Sequence, residues 1–547
     1  MDSNSGVTTR RHDIQGLTFV PVRIDPSRAV ELANFAFVRV ARGMPTLRPI
    51  SPSLLRTDTS FPVDLPASGP LSNEFRAVIF DGGIPPEARQ ALSPWLSLIE
   101  PDGIGPAVSG YEDHGLAVSS AFLFGALREG AAEQPLCHVD HVRVLDDATG
   151  DDGIECYDVL DRIVKHLDQT SGLYEFGNTS LGPCLAVEDD EVTLWTAALD
   201  TRFSNGRILA TVAAGNSGHL PSDGGLNRVQ PPADGVNVLS IGAADSPEPS
   251  WARARYSCVG PGRCPGVVKP DLVAFGGSDR SGFGVLDRGL RGHYQQGTSI
   301  AAPLALRAAV AVRVQLGASQ VSSLATRALL IHTAKSAGHD WREVGWGRLE
   351  TDSVRLITCD DDEALIVYQG ELPVGEHLRV RVPTPADAME GFVWVSATLV
   401  ISPEVDPEHP SAYTRSGLQV AFRPHSQRFS KPVDGRAPNH AKTKAFFSER
   451  LLYGASESVL REDGNKWEPC LSGRVRLRPT SLFEPCFDIY YHTREAGMTA
   501  RDPQRIPYSL IVGLHARRVP DLYDRVVRAY ANVLIPLRPQ TRVQIQP

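Results

Sequence analysis

Four polar residues of this 547-residue sequence are of the types that acyl transfer requires. Asp81 lies in "AVIFDGGI", His114 in "EDHGLAVSSAFLFG", Asn216 in "TVAAGNSGH" and Ser299 in "QQGTSIAAPLALRAAVAV". The chemistry needs a hydroxyl nucleophile, a base that removes its proton, a carboxylate that orients the base and donors that stabilise the oxyanion. The sequence offers one candidate for each role.

Each of these residues also has an ordinary structural explanation. An Asp or Asn beside glycines commonly serves a turn, a lone His before a helical pattern commonly caps it or lies on the surface, and a Ser before a helix commonly serves as its N-cap. Considered singly, these explanations are preferred. Considered together, a full set of acyl-transfer groups at strand ends and helix starts favours a catalytic site.

The elements that would position these groups alternate between strands and helices from about residue 75 to 356. Predicted strands lie at 75–80, 141–145, 207–215 and 237–243, and predicted helices at 115–127, at 157–169 and from the Ser299 stretch onward. Such alternation predicts an α/β fold, a parallel sheet with helices on both faces. Loops at the carboxyl ends of the strands carry the chemistry in such sheets.

The rest of the sequence forms two further regions. From residue 357 to 547, alternating and aromatic-rich segments between Pro, Gly and Asp clusters predict an antiparallel β-sandwich domain with one late helix at 520–534. Residues 1–74 are interpreted as an N-terminal extension and linker, or as the remnant of a longer precursor, because they are few for an independent core. The predicted domains are therefore 1–74, 75–356 and 357–547.

Composition and charge argue against several classes of function. Lys and Arg total 55 against 64 Asp and Glu, and the formal charge of -9 gives no basic surface for nucleic acid. The first residues lack an apolar signal segment. No apolar run approaches the roughly 18 residues of a membrane helix, and the longest candidate is 391–401. We therefore expect a cytoplasmic protein with no membrane or nucleic-acid partner.

The eight cysteines are scattered along the sequence and include no C-x-x-C pair, so they predict no disulfide framework. Cys258 and Cys264 are close enough in sequence to form a bridge. Free buried thiols fit better with a chain that has no export signal.

One compact group, Cys137, His138, Asp140 and His141, suggests a metal site. The preferred interpretation is a strand with its approach loop, because no partner cluster lies at ligand spacing. We therefore expect these residues to be structural.

The motifs around the four candidates resemble those of the subtilisin-like serine proteases, the subtilases. "GTSIAAP" resembles the family's nucleophile motif G-T-S-x-A-x-P, "AAGNSG" its oxyanion motif, and "NTSLGP" (178–183) the N-x-S-x-G wall of its substrate cleft. "KPDLVAFG" and "GWGRL" resemble the segments that precede the nucleophile turn and close the domain. The order Asp, His, Ser is that of subtilisin. The resemblance spans roughly 75–356 and implies a subtilisin-like fold there.

The resemblance implies a role for each candidate. Ser299 is the nucleophile, and His114 is the general base and later the acid that protonates the leaving amine. Asp81 fixes the imidazole tautomer, while the Asn216 amide and the Ser299 backbone N–H stabilise the oxyanion. The positive end of the helix that starts at Ser299 favours negative charge. Pro303 is expected to be tolerated because first-turn amides lack intrahelical partners.

The resemblance also implies how a peptide would bind. Ser180, Leu181 and Gly182 line one side of the cleft and pair with the substrate backbone as an extra strand. Gly215 is a further substrate-binding residue. Residues 230–232 contribute to the pocket for the substrate side chain.

Two stretches depart from the family's pattern. Asp81-Gly82-Gly83 stands where the family usually has Asp-Thr-Gly or Asp-Ser-Gly, so a hydroxyl that could support the carboxylate is missing. Residues 114–118 read His-Gly-Leu-Ala-Val where His-Gly-Thr-His-Val is usual. Neither change removes a required group, although both could lower the rate. The Asn-rich insertion that often binds calcium in secreted members is missing from the sequence, so we expect no metal and no cofactor.

The resulting hypothesis is an intracellular serine endopeptidase that hydrolyses peptide bonds through an acyl-enzyme and is regulated by a partner. The alternative is a catalytically silent subtilase scaffold that binds a partner through its C-terminal region, and the altered surroundings of Asp81 and His114 motivate it. The run "FAFVRVARGMPTLRPI" and the overall layout are also similar to bacterial subtilases encoded beside an AAA-type ATPase in anti-phage defence. That similarity implies an ATPase partner and a role in antiviral defence.

Overall fold

The computed structural model describes residues 11–32, 34–47, 53–54, 60–149, 155–385, 387, 389–430, 440–447, 465–494 and 505–539. The strands up to residue 356 are β1 His12–Ile14, β2 Leu17–Phe19, β3 Ser53–Leu54, β4 Val63–Asp64, β5 Arg76–Asp81, β6 Leu96–Ile99, β7 Gly130–Ala131, β8 His138–Arg143, β9 Phe176–Thr179, β10 Leu209–Ala213, β11 Leu239–Ala244, β12 Leu272–Phe275, β13 Phe283–Leu286 and β14 Gly292–Gln296. The helices up to residue 357 are α1 Ala29–Leu32, α2 Pro86–Leu92, α3 Ser109–Phe124, α4 Glu155–Gln169, α5 Leu194–Phe203, α6 Thr298–Leu316, α7 Ser323–Thr333, α8 Trp341–Val344 and α9 Ser353–Ile357.

The elements after these are β15 Glu363–Leu372, β16 His377–Arg381, β17 Val393–Ile401, β18 Ser416–Arg423, β19 Cys470–Leu477, β20 Cys486–Thr493, β21 Ile506–His515 and α10 Leu522–Ala529. Short 3-10 turns lie at Pro26–Arg28, Asp223–Gly225, Pro410–Ala412, Asn465–Trp467 and Pro479–Ser481.

A seven-stranded sheet in the order β12-β11-β10-β9-β5-β8-β6 is the centre of the fold. Every neighbouring pair in it is parallel. Alternate residues of β5 point to opposite faces, so Ile79 joins one apolar cluster with α3 and α6, while Phe80 joins another with α4 and α5. The sheet is therefore covered by helices on both sides, and the predicted α/β class is confirmed.

The helix α6 runs through the first of these clusters. It is built largely of Ala, Val and Leu, and almost all of its residues are buried. Contrary to the expectation that no apolar run has membrane length, α6 is long and apolar enough by composition to cross a membrane. It is the single such helix in the described residues, and 94% of its apolar window is buried inside the protein, as in the core helix of a folded domain.

The C-terminal region contains two antiparallel sheets, β15-β21-β17-β19 and β16-β20-β18. Their apolar residues form one shared cluster, which agrees with the predicted sandwich. The first sheet also packs on α7, because Val400, Cys470 and Ile511 belong to the cluster of the parallel-sheet region. His332 of α7 lies 2.9 Å (Nδ1) from the Thr398 hydroxyl of β17. The two regions therefore share a packed interface.

Several elements differ from the sequence expectation. The pattern of residues 27–35 predicts a helix, whereas the helix α1 has four residues, Ala29–Leu32. The elements that were not predicted include strands β6, β9, β12 and β19 and helices α2, α5 and α7. None of the eight cysteines, which lie within the described ranges, is part of a disulfide, so Cys258 and Cys264 do not form a bridge, and Cys264 is exposed.

Candidate active site

Asp81 and His114 form a close pair at the carboxyl edge of the parallel sheet. Asp81 is the last residue of β5, and His114 lies in the second turn of α3, which begins at Ser109 rather than after His114 as the sequence suggested. His114 Nδ1 lies 2.7 Å from Asp81 Oδ1. Both side chains are buried, at 0% and 7% exposure. A buried carboxylate on Nδ1 can hold the proton there and leave Nε2 free to act as a base.

The turn after Asp81 is packed against the backbone of α3. A Cβ on Gly82 would lie 2.1 Å from the carbonyl oxygen of Tyr111, and a Cβ on Gly115 would lie 2.1 Å from the carbonyl oxygen of Gly83. Neither position has room for a side chain. The departure from the family's Asp-Thr-Gly pattern therefore has a steric reason: α3 occupies the place of the hydroxyl side chain.

The Asp81 carboxylate is only partly satisfied. Its Oδ1 accepts the Gly82 N–H at 2.7 Å as well as the His114 contact. Its Oδ2 is buried, and no other described residue forms a hydrogen bond with it. The sequence lacks the hydroxyl that could support the Asp81 carboxylate, and the structure accordingly leaves Asp81 Oδ2 without a partner among the described residues. We call Asp81, Gly82, Gly83 and His114 the base side of the site.

Ser299 lies in the first turn of α6, directly after the β14 strand. It is partly exposed, whereas Thr298 and Ile300 on either side are buried. A Cβ placed on Gly297 would lie 3.0 Å from Ser299 Oγ and 3.7 Å from Asn216 Nδ2. The hydroxyl and the amide therefore flank Gly297 at the positive end of a helix, where negative charge is favoured.

Thr298 orients the Asn216 amide. Asn216 Oδ1 accepts the Thr298 backbone N–H at 3.0 Å and its hydroxyl at 2.9 Å. The hydroxyl in turn accepts the Gly215 N–H at 3.2 Å. Because a backbone N–H can only donate, Oδ1 must face Thr298 and the Nδ2 donor faces the other way. We call Asn216, Gly297, Thr298 and Ser299 the nucleophile side.

Ser180 connects the predicted cleft wall to the nucleophile. Its hydroxyl donates to the Ser299 carbonyl at 2.9 Å and accepts the Asn178 amide at 3.0 Å. The Ser299 carbonyl is available because Pro303, four residues later, has no N–H to bond it. Pro303 lies beyond the first turn of α6, so the explanation that it occupies a first-turn position was wrong. The Ser180 hydroxyl instead donates the hydrogen bond that the Ser299 carbonyl would otherwise accept from residue 303.

The walls of the cleft contact the N-terminal region, which the sequence did not predict. Leu47 forms an antiparallel bridge with Pro183, and the Cys184 N–H donates to the Thr46 carbonyl at 2.7 Å. Pro183 directly follows Ser180, Leu181 and Gly182. Ser53–Leu54 pair with Gln295 and Gln296 of β14, the strand that precedes Ser299. The N-terminal chain therefore contacts the end of the predicted cleft wall and the strand that precedes Ser299.

Gly215 and Gln230 lie together beneath the oxyanion residue. Gly215 has a φ of +109°, and a Cβ on it would lie 2.4 Å from Gln230 Oε1. Gln230 is 3% exposed, and its Nε2 donates to the Ser217 hydroxyl at 3.1 Å. The Gln230 side chain therefore fills space beside Gly215, next to the cis-linked Pro231 and Pro232.

The group Cys137, His138, Asp140 and His141 does not converge on a metal position. Cys137 and Val139 belong to the cluster on the α3 face of the sheet, whereas His138 Nε2 bonds Ser97 and Asp140 pairs with Arg76 on the opposite face. His141 alone turns toward the site, where its Nε2 accepts the Gly83 N–H at 3.0 Å.

The two sides of the site are brought together by packing. Helices α3 and α6 pack in one apolar cluster. No hydrogen bond joins His114 to Ser299 in the part of the chain that the structure describes. Catalytic hydrogen bonds are often long without substrate. The arrangement offers a hydroxyl at a helix start, an imidazole oriented by a carboxylate and two convergent donors, which are the parts of acyl-transfer chemistry.

Comparison with known proteins agrees with this reading of the fold. Residues 101–347 match the model of the subtilase family (Peptidase_S8), and this segment has the subtilase fold. The match contains His114, Asn216 and Ser299, while Asp81 lies before it. The resemblance recognised in the sequence is thereby confirmed for this segment. No curated protein matches the chain significantly.

Solved structures of serine proteases are also similar. The epidermin leader peptide processing serine protease EpiP of Staphylococcus aureus is 18% identical over 52% of this chain and 76% of its own, with a TM-score of 0.40. The prenylagaramide maturation protease PagA is 17% identical over 52% and 93%, with a TM-score of 0.39. A serine protease of Aeromonas sobria is 14% identical over 81% and 89%, with a TM-score of 0.38.

Proposed function

We propose that this protein is a serine endopeptidase that uses Ser299, His114 and Asp81. The observation that carries the proposal is the 2.7 Å contact between Asp81 and His114, in a fold that places Ser299 in the first turn of α6 and orients the Asn216 amide beside it. A subtilase segment supports serine protease chemistry in general. The assignment of the three residues rests on their geometry and their motifs.

The proposed reaction begins when Ser299 Oγ attacks the carbonyl carbon of a peptide bond while His114 Nε2 takes the hydroxyl proton. The oxyanion receives hydrogen bonds from Asn216 Nδ2 and the Ser299 N–H. As the C–N bond breaks, His114 gives its proton to the leaving amine. Water then attacks the ester, again with His114 as base, and the acid product leaves with Ser299 restored.

A peptide substrate would lie along Ser180, Leu181 and Gly182. Segment 180–182 directly follows β9, so its backbone is at the carboxyl edge beside Ser299, and an extended peptide can add to it as a further strand. The Ser180 hydroxyl, bonded to the Ser299 carbonyl, fixes the distance between this strand and the nucleophile.

Cleavage of a peptide library tests the proposal. The wild type is expected to cut internal peptide bonds and Ser299→Ala is expected to cut none, with both proteins showing the same melting temperature. The proposal is overturned if the two proteins give the same cleavage products at the same rate.

A catalytically silent scaffold is the second candidate. The unpartnered Asp81 Oδ2 favours it, because an incompletely held carboxylate is a weaker orienting group for His114. The scaffold predicts that Ser299→Ala leaves the biological effect intact, whereas the endopeptidase predicts its loss.

Regulation by a partner, an AAA-type ATPase as that partner, an intracellular location and a role in antiviral defence stay predictions of the sequence. The library assay repeated with a co-purified ATPase from the same source would test the partner directly. An increase in cleavage by the wild type alone, and not by Ser299→Ala, is the expected result.

A further inference from the structure

His141 is a fully buried histidine beside the base side that the proposed reaction does not use. It lies on β8, opposite Ile79 of β5 and two residues before the position that pairs with Asp81. Its Nε2 accepts the Gly83 N–H at 3.0 Å, and its Nδ1 lies 2.8 Å from the Ser119 hydroxyl of α3. The ring therefore connects the turn after Asp81 to the helix that carries His114.

The hydrogen bonds define the tautomer of this ring. A backbone N–H can only donate, so Nε2 carries a lone pair and the proton is on Nδ1, where it is donated to Ser119. The pKa of His141 is lowered to about 4, chiefly by burial, because the raising effect of Asp81 does not offset it and His114 also acts to lower it. The ring is therefore neutral at neutral pH and can keep accepting from Gly83.

The turn from Asp81 to Gly83 needs such a restraint. Two glycines in succession allow many backbone conformations, and Gly83 has a φ of +105°. The carboxylate holds the first of the two amides, that of Gly82, and His141 holds the second. Since Asp81 Oδ2 has no partner among the described residues, the direction of Oδ1 depends on the conformation of this turn.

We propose that His141 is a positioning residue for the base side: its imidazole fixes Gly83, and through that turn it aims Asp81 Oδ1 at His114. This inference rests on the proposed function and adds a residue outside its motifs. In this chain a ring from the neighbouring strand restrains the turn, in a place where Tyr111 leaves no room for a hydroxyl side chain at position 82.

The test compares His141→Ala, His141→Gln and Ser119→Ala with the wild type. Gln can present its carbonyl to Gly83 and its amide to Ser119, so it is the conservative variant. His138→Ala is the matched control, because His138 lies on the same strand, bonds Ser97 and points to the opposite face. Each variant is made in the active chain and in the Ser299→Ala background.

Two readouts are measured. In the active chain, kcat and KM are determined for one peptide substrate. In the Ser299→Ala background, the downfield proton resonance of the His114 Nδ1–H, which reports its bond to Asp81, is recorded by NMR. The second readout needs no catalysis, so it separates failure of this inference from failure of the proposed function.

We expect His141→Ala to lower kcat about 10- to 100-fold with KM nearly unchanged, because the base is misaligned rather than removed. We also expect the loss of the downfield resonance. His141→Gln should recover most of both, and Ser119→Ala should fall between them. The inference is overturned if His141→Ala retains the resonance, if Gln does not differ from Ala, or if His138→Ala has the same effect. If His141→Ala does not fold, Ser119→Ala is compared with His141→Gln. Ser119→Ala should have the lower kcat and the weaker resonance, and equal values would overturn the inference.

Discussion

The nucleophile side and the base side meet at one edge of the sheet, but they are held in different ways. On the nucleophile side, Thr298, Gly297 and Asn216 bond or flank one another, and all belong to the nucleophile motif or the oxyanion motif. On the base side, Asp81 has one unpartnered oxygen, and the turn after it is held by His141 from another strand. The side that fits the family's pattern is held by residues of its own motifs, whereas the side that departs from it depends on a residue outside the motifs.

This difference shows what a local pattern can and cannot specify. The nucleophile side needs a tight turn, a helix start and the Asn216 amide from the loop after β10. Short motifs encode all three. The base side needs α3 to pack closely on the turn after β5. Once the Tyr111 backbone occupies that space, a hydroxyl at position 82 is excluded and a restraint must come from elsewhere.

The largest effect is expected from Asp81→Asn. An amide at this position can donate to His114 Nδ1 and stabilise the wrong tautomer, so kcat should fall by about 10,000-fold while KM changes little. Steady-state kinetics measure this. Asp140→Asn is the control, since Asp140 is also buried but pairs with Arg76 away from the site. It should lower the melting temperature and leave kcat nearly unchanged, and equal losses in the two variants would contradict the role of Asp81.

Two substitutions of Asn216 distinguish the loss of its Nδ2 hydrogen-bond donor from the loss of its bonds to Thr298. Asn216→Asp keeps an oxygen for the Thr298 N–H but loses the Nδ2 donor, so kcat should fall by about 100- to 1,000-fold or more at an unchanged melting temperature. Asn216→Ala should lose similar activity and also about 1 kcal/mol of stability, because the Thr298 bonds disappear. Kinetics and thermal unfolding of both variants are the measurements. Full activity in Asn216→Asp would show that Nδ2 is not an oxyanion donor.

A smaller effect is expected at Gln230. Its side chain fills the space beside Gly215, so Gln230→Gly should enlarge the pocket and raise kcat/KM for substrates with large side chains at the cleavage position about tenfold over small ones. A peptide library with varied residues at that position measures this. Gln90→Ala, an exposed change on α2, should leave the preference as it is. An unchanged preference in Gln230→Gly would place this residue outside the pocket.

The smallest effect is expected from removal of residues 1–47. This deletion removes the contacts of Thr46 and Leu47 with segment 183–184 and leaves the β3 pairing in place. A long peptide that extends past Gly182 should gain about 1 kcal/mol of binding, or about fivefold in kcat/KM, because the backbone of segment 183–184 can then bond the peptide instead of Thr46 and Leu47. A short peptide that ends before Pro183 should gain nothing, and an equal change for both would contradict this competition.

The sequence predicted strands β5, β8, β10 and β11 of the parallel sheet because they are apolar runs between helical patterns, and it did not predict β6, β9 or β12. It missed β19, whose arginines interrupt the apolar alternation, and α5, which is buried on most sides and so lacks a polar stripe. The four candidate residues were singled out because the motifs around them are short and local.

The contacts that sequence reasoning missed join residues far apart in the chain. The bond between His141 and Gly83 spans 58 positions, and that between Ser180 and the Ser299 carbonyl spans 119. His141 looked like an ordinary strand residue, and its neighbours suggested a metal site that the fold divides between two faces of the sheet. Pro303 was the available signal for the second bond, because a proline inside a helix leaves a carbonyl that must find another donor.

The central claim is that Ser299 is activated by His114 on this scaffold. Intact mass measurement after reaction with a fluorophosphonate probe, followed by peptide mapping, tests it most directly. We expect one adduct on the wild type, located at Ser299, and none on Ser299→Ala or His114→Ala when all three proteins are folded. A folded wild type that gains no adduct, or an adduct of equal yield in His114→Ala, would contradict it.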